Sequence, residues 1–267
     1  MPTEHFNPEA QIAFAQRLGE INELSLGAAL RATVASLDIP ALDRCYSEVL
    51  GPERLRKAAS FSLRPEVIFP CALLLQANPR LLGYYRLLYG LSQKEFYRRF
   101  GRFRAMEERG VLPGRVSHEL DELCTSLCET GWILLNNLPQ PDLGLIRDLQ
   151  LLALGAQLRG ARLNEIGAAA VQVVFTRIRS AISHETVVSE GARHIELHNA
   201  AGLLCLVAFS SDPDIAISQE LPTGRRNVLA IEVKGGTDVS NIHNRLGEAE
   251  KSHQKARSEG FTSSGQL

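Results

Sequence analysis

Apolar residues recur at intervals of three and four through PEAQIAFAQRLGEINELSLGAALRATVASL, and that period predicts amphipathic helices in the first part of the chain. The same pattern fills Pro40 to Gly51, Pro65 to Gln76 and Ser117 to Asn137, while Asn78-Pro79, Pro113-Gly114 and the stretch from Asn137 to Asp142 interrupt it. From Leu163 the run NEIGAAAVQVVFTRIRSAI predicts a long helix with Asn164 as its cap and Glu165 in its first turn. Then the period changes. RHIELHN alternates apolar and polar, and LLCLVAF and NVLAIEV are continuous apolar runs of strand length, with Pro222, Thr223 and Gly224 turning between them. From Thr237 the spacing is helical again.

These elements predict an α/β (α+β) protein, with a mostly helical region over 1–160 and a core over 161–267 of order α-β-β-β-α. The strands follow one another with short links, which suits antiparallel pairing before any crossover and argues against a doubly wound sheet. Asp214 is expected to close the second strand and Glu232 and Lys234 to lie near the end of the third.

With 45% hydrophobic residues in 267, the chain has the composition of a globular protein. It holds no window of roughly 18 uninterrupted apolar residues, and its first residues, MPTEHFNPEAQ, have neither a basic nor an apolar leader region. The expectation is a protein without a membrane partner, located in the cytoplasm. The five cysteines are scattered in apolar surroundings and read as reduced core thiols; Cys124 and Cys128 lack the second pair or the histidines that a zinc site needs.

A net charge of -1 hides a strongly basic segment, because Arg80 to Arg115 holds nine Lys/Arg against three Glu, with seven aromatics interleaved. Phe96, Phe100 and Phe103 stand at helical spacing and read as core, whereas Lys94 and Arg98 on the same helix are candidates for gripping a nucleic-acid backbone or a dimer partner.

Three charges inside apolar strands need a reason. Glu232 and Lys234 are two apart and point to one face, and pairing of the strands around Pro222 to Arg226 would bring Asp214 to Glu232. Two converging carboxylates repel and lose hydration, and a divalent cation relieves both costs. Mg²⁺ takes oxygen ligands, here Asp214, Glu232 and the carbonyl of Val233, and commonly adds substrate phosphate. It would activate water for in-line attack on a phosphodiester, with Lys234 orienting that water.

Pro213-Asp214, then Glu232 eighteen residues on, then Lys234 after one intervening residue, resembles the PD-(D/E)XK nuclease signature. The resemblance implies metal binding by Asp214 and Glu232, catalysis by Asp214, Glu232 and Lys234, and an auxiliary acidic role for Glu165. It also implies a mixed sheet with one more strand after the last helix. The tail RSEGFTSSGQL has no apolar strand to offer, so the expectation is that the final strand is missing and the core truncated at its C-terminus.

Two longer stretches, NPRLLGYYRLLYGLSQKEFY and EVKGGTDVSNIHNRLGEAEKSHQKA, are similar to type II restriction endonucleases of the XcyI kind. That similarity implies Mg²⁺-dependent double-strand cleavage of DNA at CCCGGG by a homodimer. Beside the acidic strand, Thr237, Ser240, Asn241, His243, Asn244 and Arg245 supply donors suited to phosphate and base edges, with Lys251, His253 and Lys255 further on. Arg225 and Arg226, placed in the turn, are candidates for phosphate contact. A structure-specific repair or recombination nuclease, and an inactive DNA-binding relative, remain alternatives.

Overall fold

The computed structural model describes residues 8–234 and 242–266, with only the backbone described at 9, 242–249 and 266. The chain divides into two units, 1–158 and 159–267.

The first unit is helical: α1 (Glu9–Ser25), α2 (Gly27–Ser36), α3 (Ile39–Ser60), α4 (Ala72–Ala77), α5 (Leu81–Leu88), α6 (Gln93–Phe100), α7 (Arg104–Arg109), α8 (Leu120–Asn137) and the start of α9 (Leu143–Ala181). Gly51, at φ 71°, breaks α3 where the apolar pattern stops, and Pro52 restarts it. Ser92 caps α6 by accepting the Glu95 N–H at 3.1 Å, and Asp142 opens α9 by accepting that of Leu145 at 2.7 Å.

Between α3 and α4 the chain crosses the core of this unit without regular hydrogen bonding for all its carbonyls. Four tyrosines supply it. The carbonyls of Glu66, Val67, Ile68 and Phe69 accept from the hydroxyls of Tyr85, Tyr84, Tyr89 and Tyr46 at 2.7, 2.9, 2.7 and 2.8 Å, and Cys128 donates its thiol to the Pro70 carbonyl at 3.2 Å. A buried carbonyl without a partner would cost about 1–3 kcal/mol, so these phenols carry the segment through the core. The aromatics of the basic segment are therefore mostly structural: Phe96, Tyr97 and Phe103 are buried, while Lys94 and Arg98 lie on the exposed side of α6.

The second unit contains the rest of α9, then β1 (Thr186–Glu190), β2 (His194–His198), β3 (Leu204–Phe209), β4 (Ile215–Leu221), β5 (Gly224–Glu232), α10 (Ile242–Ser258) and β6 (Ser263–Gln266). The sheet runs β1-β2-β3-β4-β5-β6, antiparallel through β5 and parallel between β5 and β6, so it is the mixed sheet expected. A parallel last pair follows from the connection, because α10 carries the chain back before β6 begins.

Several expectations change. The sheet has six strands where three were expected: besides the last strand, β1 is short and mostly exposed, and the run ahead of Pro222 is a separate strand, β4. The final strand is present, in the low-propensity tail: Ser263, Ser264, Gly265 and Gln266 register against Leu229, Ala230, Ile231 and Glu232. Pairing with β5 overrides propensity there, helped by the Thr262 hydroxyl donating to the Val228 carbonyl at 2.8 Å. Asn164 and Glu165 lie inside α9 rather than at its start.

Each face of this sheet has its own cover. Ile195, Leu197, Val207, Ile215, Ile231 and Val233 pack with Phe175 of α9 on one side, and Ala230 packs with Ala256 of α10 and Phe261 on the other. Alternation along β4 and β5 then places Asp214 and Glu232, out of phase with Ile215 and Ile231, on the α10 side.

Candidate active site

Strand register brings the expected charges together. Ile215 pairs with Ile231, so the next residues outward, Asp214 and Glu232, stand opposite one another across β4 and β5. Asp214 does not close β3; it follows the turn from Ser210 and leads into β4. Its Oδ2 accepts the backbone N–H of Val233 at 2.8 Å, and Lys234 Nζ lies 2.8 Å from Glu232 Oε1. Glu232 and Lys234 retain 21% and 30% side-chain exposure, enough for a small ion or a phosphate to reach them.

The oxygens of Asp214 and Glu232 and the carbonyl of Val233 form a hard donor set of the kind Mg²⁺ prefers. Lys234 already sets a positive charge beside Glu232. Among the described residues no three His, Cys, Asp or Glu side chains gather around a common metal position. Two carboxylates suffice for Mg²⁺ when water and phosphate complete its shell. Glu165 is exposed on α9, the helix whose later turns cover the opposite face of the sheet.

Past Glu232, α10 encloses a small cavity of about 10 Å³ whose lining includes Asp212, Glu232, His253 and Ser264, with room for about one water. His253 Nδ1 and Ser264 Oγ are 2.5 Å apart, joining α10 to β6. Lys255 of α10 forms an ion pair with Asp212, two residues before Asp214. That hydrogen bond, with the negative field of Asp212, Glu259 and Glu232, holds the Lys255 ammonium above the usual lysine range against its slight desolvation. Asp212 went unassigned in the sequence reading; the doubled aspartate in Ser-Asp-Pro-Asp was its signal.

The residues expected to touch DNA come from both units. Lys94 and Arg98 are exposed on α6 of the first unit. Arg225 and Arg226 are not in the turn, which is Pro222-Thr223 alone, but at the start of β5, where successive side chains point to opposite faces. Arg225 is held to Glu220 at 2.6 Å. Thr237, Ser240 and Asn241 lie outside the described residues, and of His243, Asn244 and Arg245 only the helical backbone in α10 is described.

Residues 15–266 match the family model described as XcyI restriction endonuclease. The chain belongs to the XcyI restriction endonuclease family. It is 46% identical over 264 residues to the type II restriction enzyme XcyI of Xanthomonas campestris pv. cyanopsidis, and 44% identical over 264 residues to the type II restriction enzyme Cfr9I of Citrobacter freundii. Each match covers 96% of this chain and 79% of the relative. No solved structure matches it. As a member of the XcyI family the chain is a type II restriction endonuclease. No helix among the described residues is long and apolar enough to cross a membrane.

Proposed function

We propose that the chain cuts both strands of DNA at a defined sequence, CCCGGG, in a Mg²⁺-dependent reaction carried by Asp214, Glu232 and Lys234. The supporting observation is the opposition of Asp214 and Glu232 across β4 and β5, with Lys234 on Glu232 and on the same face. Mg²⁺, when bound, would supply Lewis-acid activation of water and neutralise charge on the phosphate.

The chain's own residues do the rest. Asp214 and Glu232, with the Val233 carbonyl, would hold the ion, and the Val233 N–H fixes the Asp214 carboxylate beside the strand that carries Glu232. Lys234 is then drawn from Glu232 toward the incoming phosphate, where its ammonium orients water and offsets charge developing on phosphorus oxygens. Glu165 remains a proposed auxiliary acid.

In this reading the region 1–160 carries DNA binding and dimerisation, and 161–267 carries cleavage. Lys94, Arg98, Arg225 and Arg226 serve phosphates, and Thr237, Ser240, Asn241, His243, Asn244 and Arg245 serve phosphates and base edges. A palindromic target is served by a homodimer with two equivalent sites. The protein works in the cytoplasm.

The test is a digest of a sequenced plasmid with the full chain, with Mg²⁺ and with EDTA, read at single-nucleotide resolution. Cuts confined to CCCGGG and abolished by EDTA are the expected result. Cuts at another fixed sequence would overturn the site assignment, and cuts following DNA junctions or flaps would favour a structure-specific nuclease.

A further inference from the structure

We propose that Lys255 of α10 is a positioning residue for the Asp214 carboxylate, acting through its ion pair with Asp212. The inference rests on the reading of Asp214 as a metal-holding residue.

Asp214 sits at the end of a short turn whose own bonds are few. Ser210 N–H donates to the Asp214 carbonyl at 3.1 Å, the Ser210 hydroxyl reaches the Asp212 carbonyl at 3.5 Å, and Val233 holds the carboxylate. Nothing in those three contacts fixes the outer side of the turn. Lys255 does so from α10, which is itself well anchored: Ala256 is buried against Ala230 and Phe261, and the carbonyl of Glu259 accepts from the Asn227 amide at 3.0 Å. The lysine thereby ties a turn to a strut fixed on β5, the strand that carries Glu232.

The pair is a poor stability device. Lys255 and Asp212 keep 51% and 46% of their side-chain surface exposed, where an ion pair adds little to folding. Its value lies in orientation, since a displacement of about 1 Å at a reacting group can slow an enzyme by about 100-fold. The second acidic neighbour, Glu259 at 3.9 Å, keeps the ammonium beside the turn.

The experiment compares wild type, Lys255→Met, Lys255→Arg, Asp212→Lys, Lys255→Asp and the reversed pair that combines the last two. It measures single-turnover cleavage, thermal unfolding and affinity for a duplex carrying the sequence at which the plasmid is cut. The expected result is ~10–100-fold slower cleavage for Lys255→Met, with DNA affinity within about 2-fold and a midpoint within about 2 °C of wild type. Lys255→Arg should recover most of the rate, and the reversed pair should cleave faster than the product of its two single losses predicts. Wild-type cleavage by Lys255→Met, independent losses in the reversed pair, or a defect confined to DNA affinity would each overturn the proposal. Asp214→Asn is run alongside: if it is inactive while Lys255→Met is unimpaired, this inference alone fails, and if Asp214→Asn cleaves normally, the site reading falls and takes this inference with it.

Discussion

Asp214 Oδ2 accepts the backbone N–H of Val233 at 2.8 Å, which fastens the first acidic residue to the position between Glu232 and Lys234. The bond needs an acceptor and not a charge. Asparagine in place of Asp214 can still accept from Val233 while losing the negative charge that a cation requires.

Asp214→Asn is therefore expected to fold and bind duplex DNA as wild type does, and to lose cleavage by at least ~100-fold, because removing the carboxylate proposed to hold the metal should cost no less than disturbing its surroundings. Gel shift without divalent metal and plasmid cleavage with Mg²⁺ measure the two separately. Rapid cleavage by this variant would remove Asp214 from the reaction.

How far the sequence could lead to this geometry depends on the element. A strand's period of two puts Glu232 and Lys234 on one face, and the 2.8 Å contact between them agrees. The sequence pattern assigns Asp214 to the end of β3, whereas it leads into β4, because β4 and the turn ahead of it form a continuous stretch with no glycine to divide them. Its convergence on Glu232 depends on the Pro222-Thr223 turn together with a one-residue shift of register between Ile217 and Ser218, which no sequence pattern announces and without which Asp214 would face Ile231. The β6 strand was not legible: Ser, Ser, Gly and Gln carry no strand signal, and only the open edge of β5 gives them one. The Lys255 to Asp212 pair joins residues 43 apart, a contact no local pattern encodes.

Tyr85 and Gly131 offer a test of the phenol-served segment. Tyr85 donates to the Glu66 carbonyl from full burial, and a Cβ on Gly131 would sit 3.0 Å from both the Ile68 carbonyl and the Tyr89 hydroxyl. Tyr85→Phe should cost ~1–3 kcal/mol by orphaning the carbonyl, and Gly131→Ala should also destabilise, by crowding the same row of bonds at close-packed distance. Urea unfolding measures both. A neutral Tyr85→Phe would mean that water replaces the phenol without loss, and a neutral Gly131→Ala that the row of bonds yields to the added methyl.

Cys71 and Cys128 are expected to resist alkylation in the native protein. Burial, the largest influence on each, pushes both thiols up to about 12, where almost no thiolate exists near neutral pH. Because the unfolded chain ionises these groups near the ordinary thiol value, their protonated state favours folding at low pH, and that contribution falls away as pH rises from about 8.5 toward 12. Iodoacetamide labelling at pH 8, followed by mass spectrometry, should leave both unmodified until urea is added. Rapid native labelling of either would contradict its buried placement.

Glu107 provides the opposite sign. Burial pushes its carboxyl up, but two hydrogen bonds from Arg86, at 2.8 Å and 2.7 Å, together with those from Tyr97 and Gln93, outweigh it and hold the group below the usual carboxylate range. Unfolded, the same carboxyl takes up a proton near pH 4.3. Between the two values the unfolded chain holds the extra proton, so the stabilisation is present above about pH 4.3 and is lost as pH falls through the folded value. Glu107→Gln removes this dependence, and it also strands Arg86, whose side chain is 1% exposed, without a counter-charge. The expected cost at pH 7 is ~3–5 kcal/mol. Replacing both residues by apolar ones should cost less than that, because no buried cation then remains. Urea unfolding at pH 7 and at pH 3.5 resolves the effect: wild type should lose more stability on acidification than Glu107→Gln does. Equal losses in the two proteins would show that Arg86 does not keep Glu107 ionised.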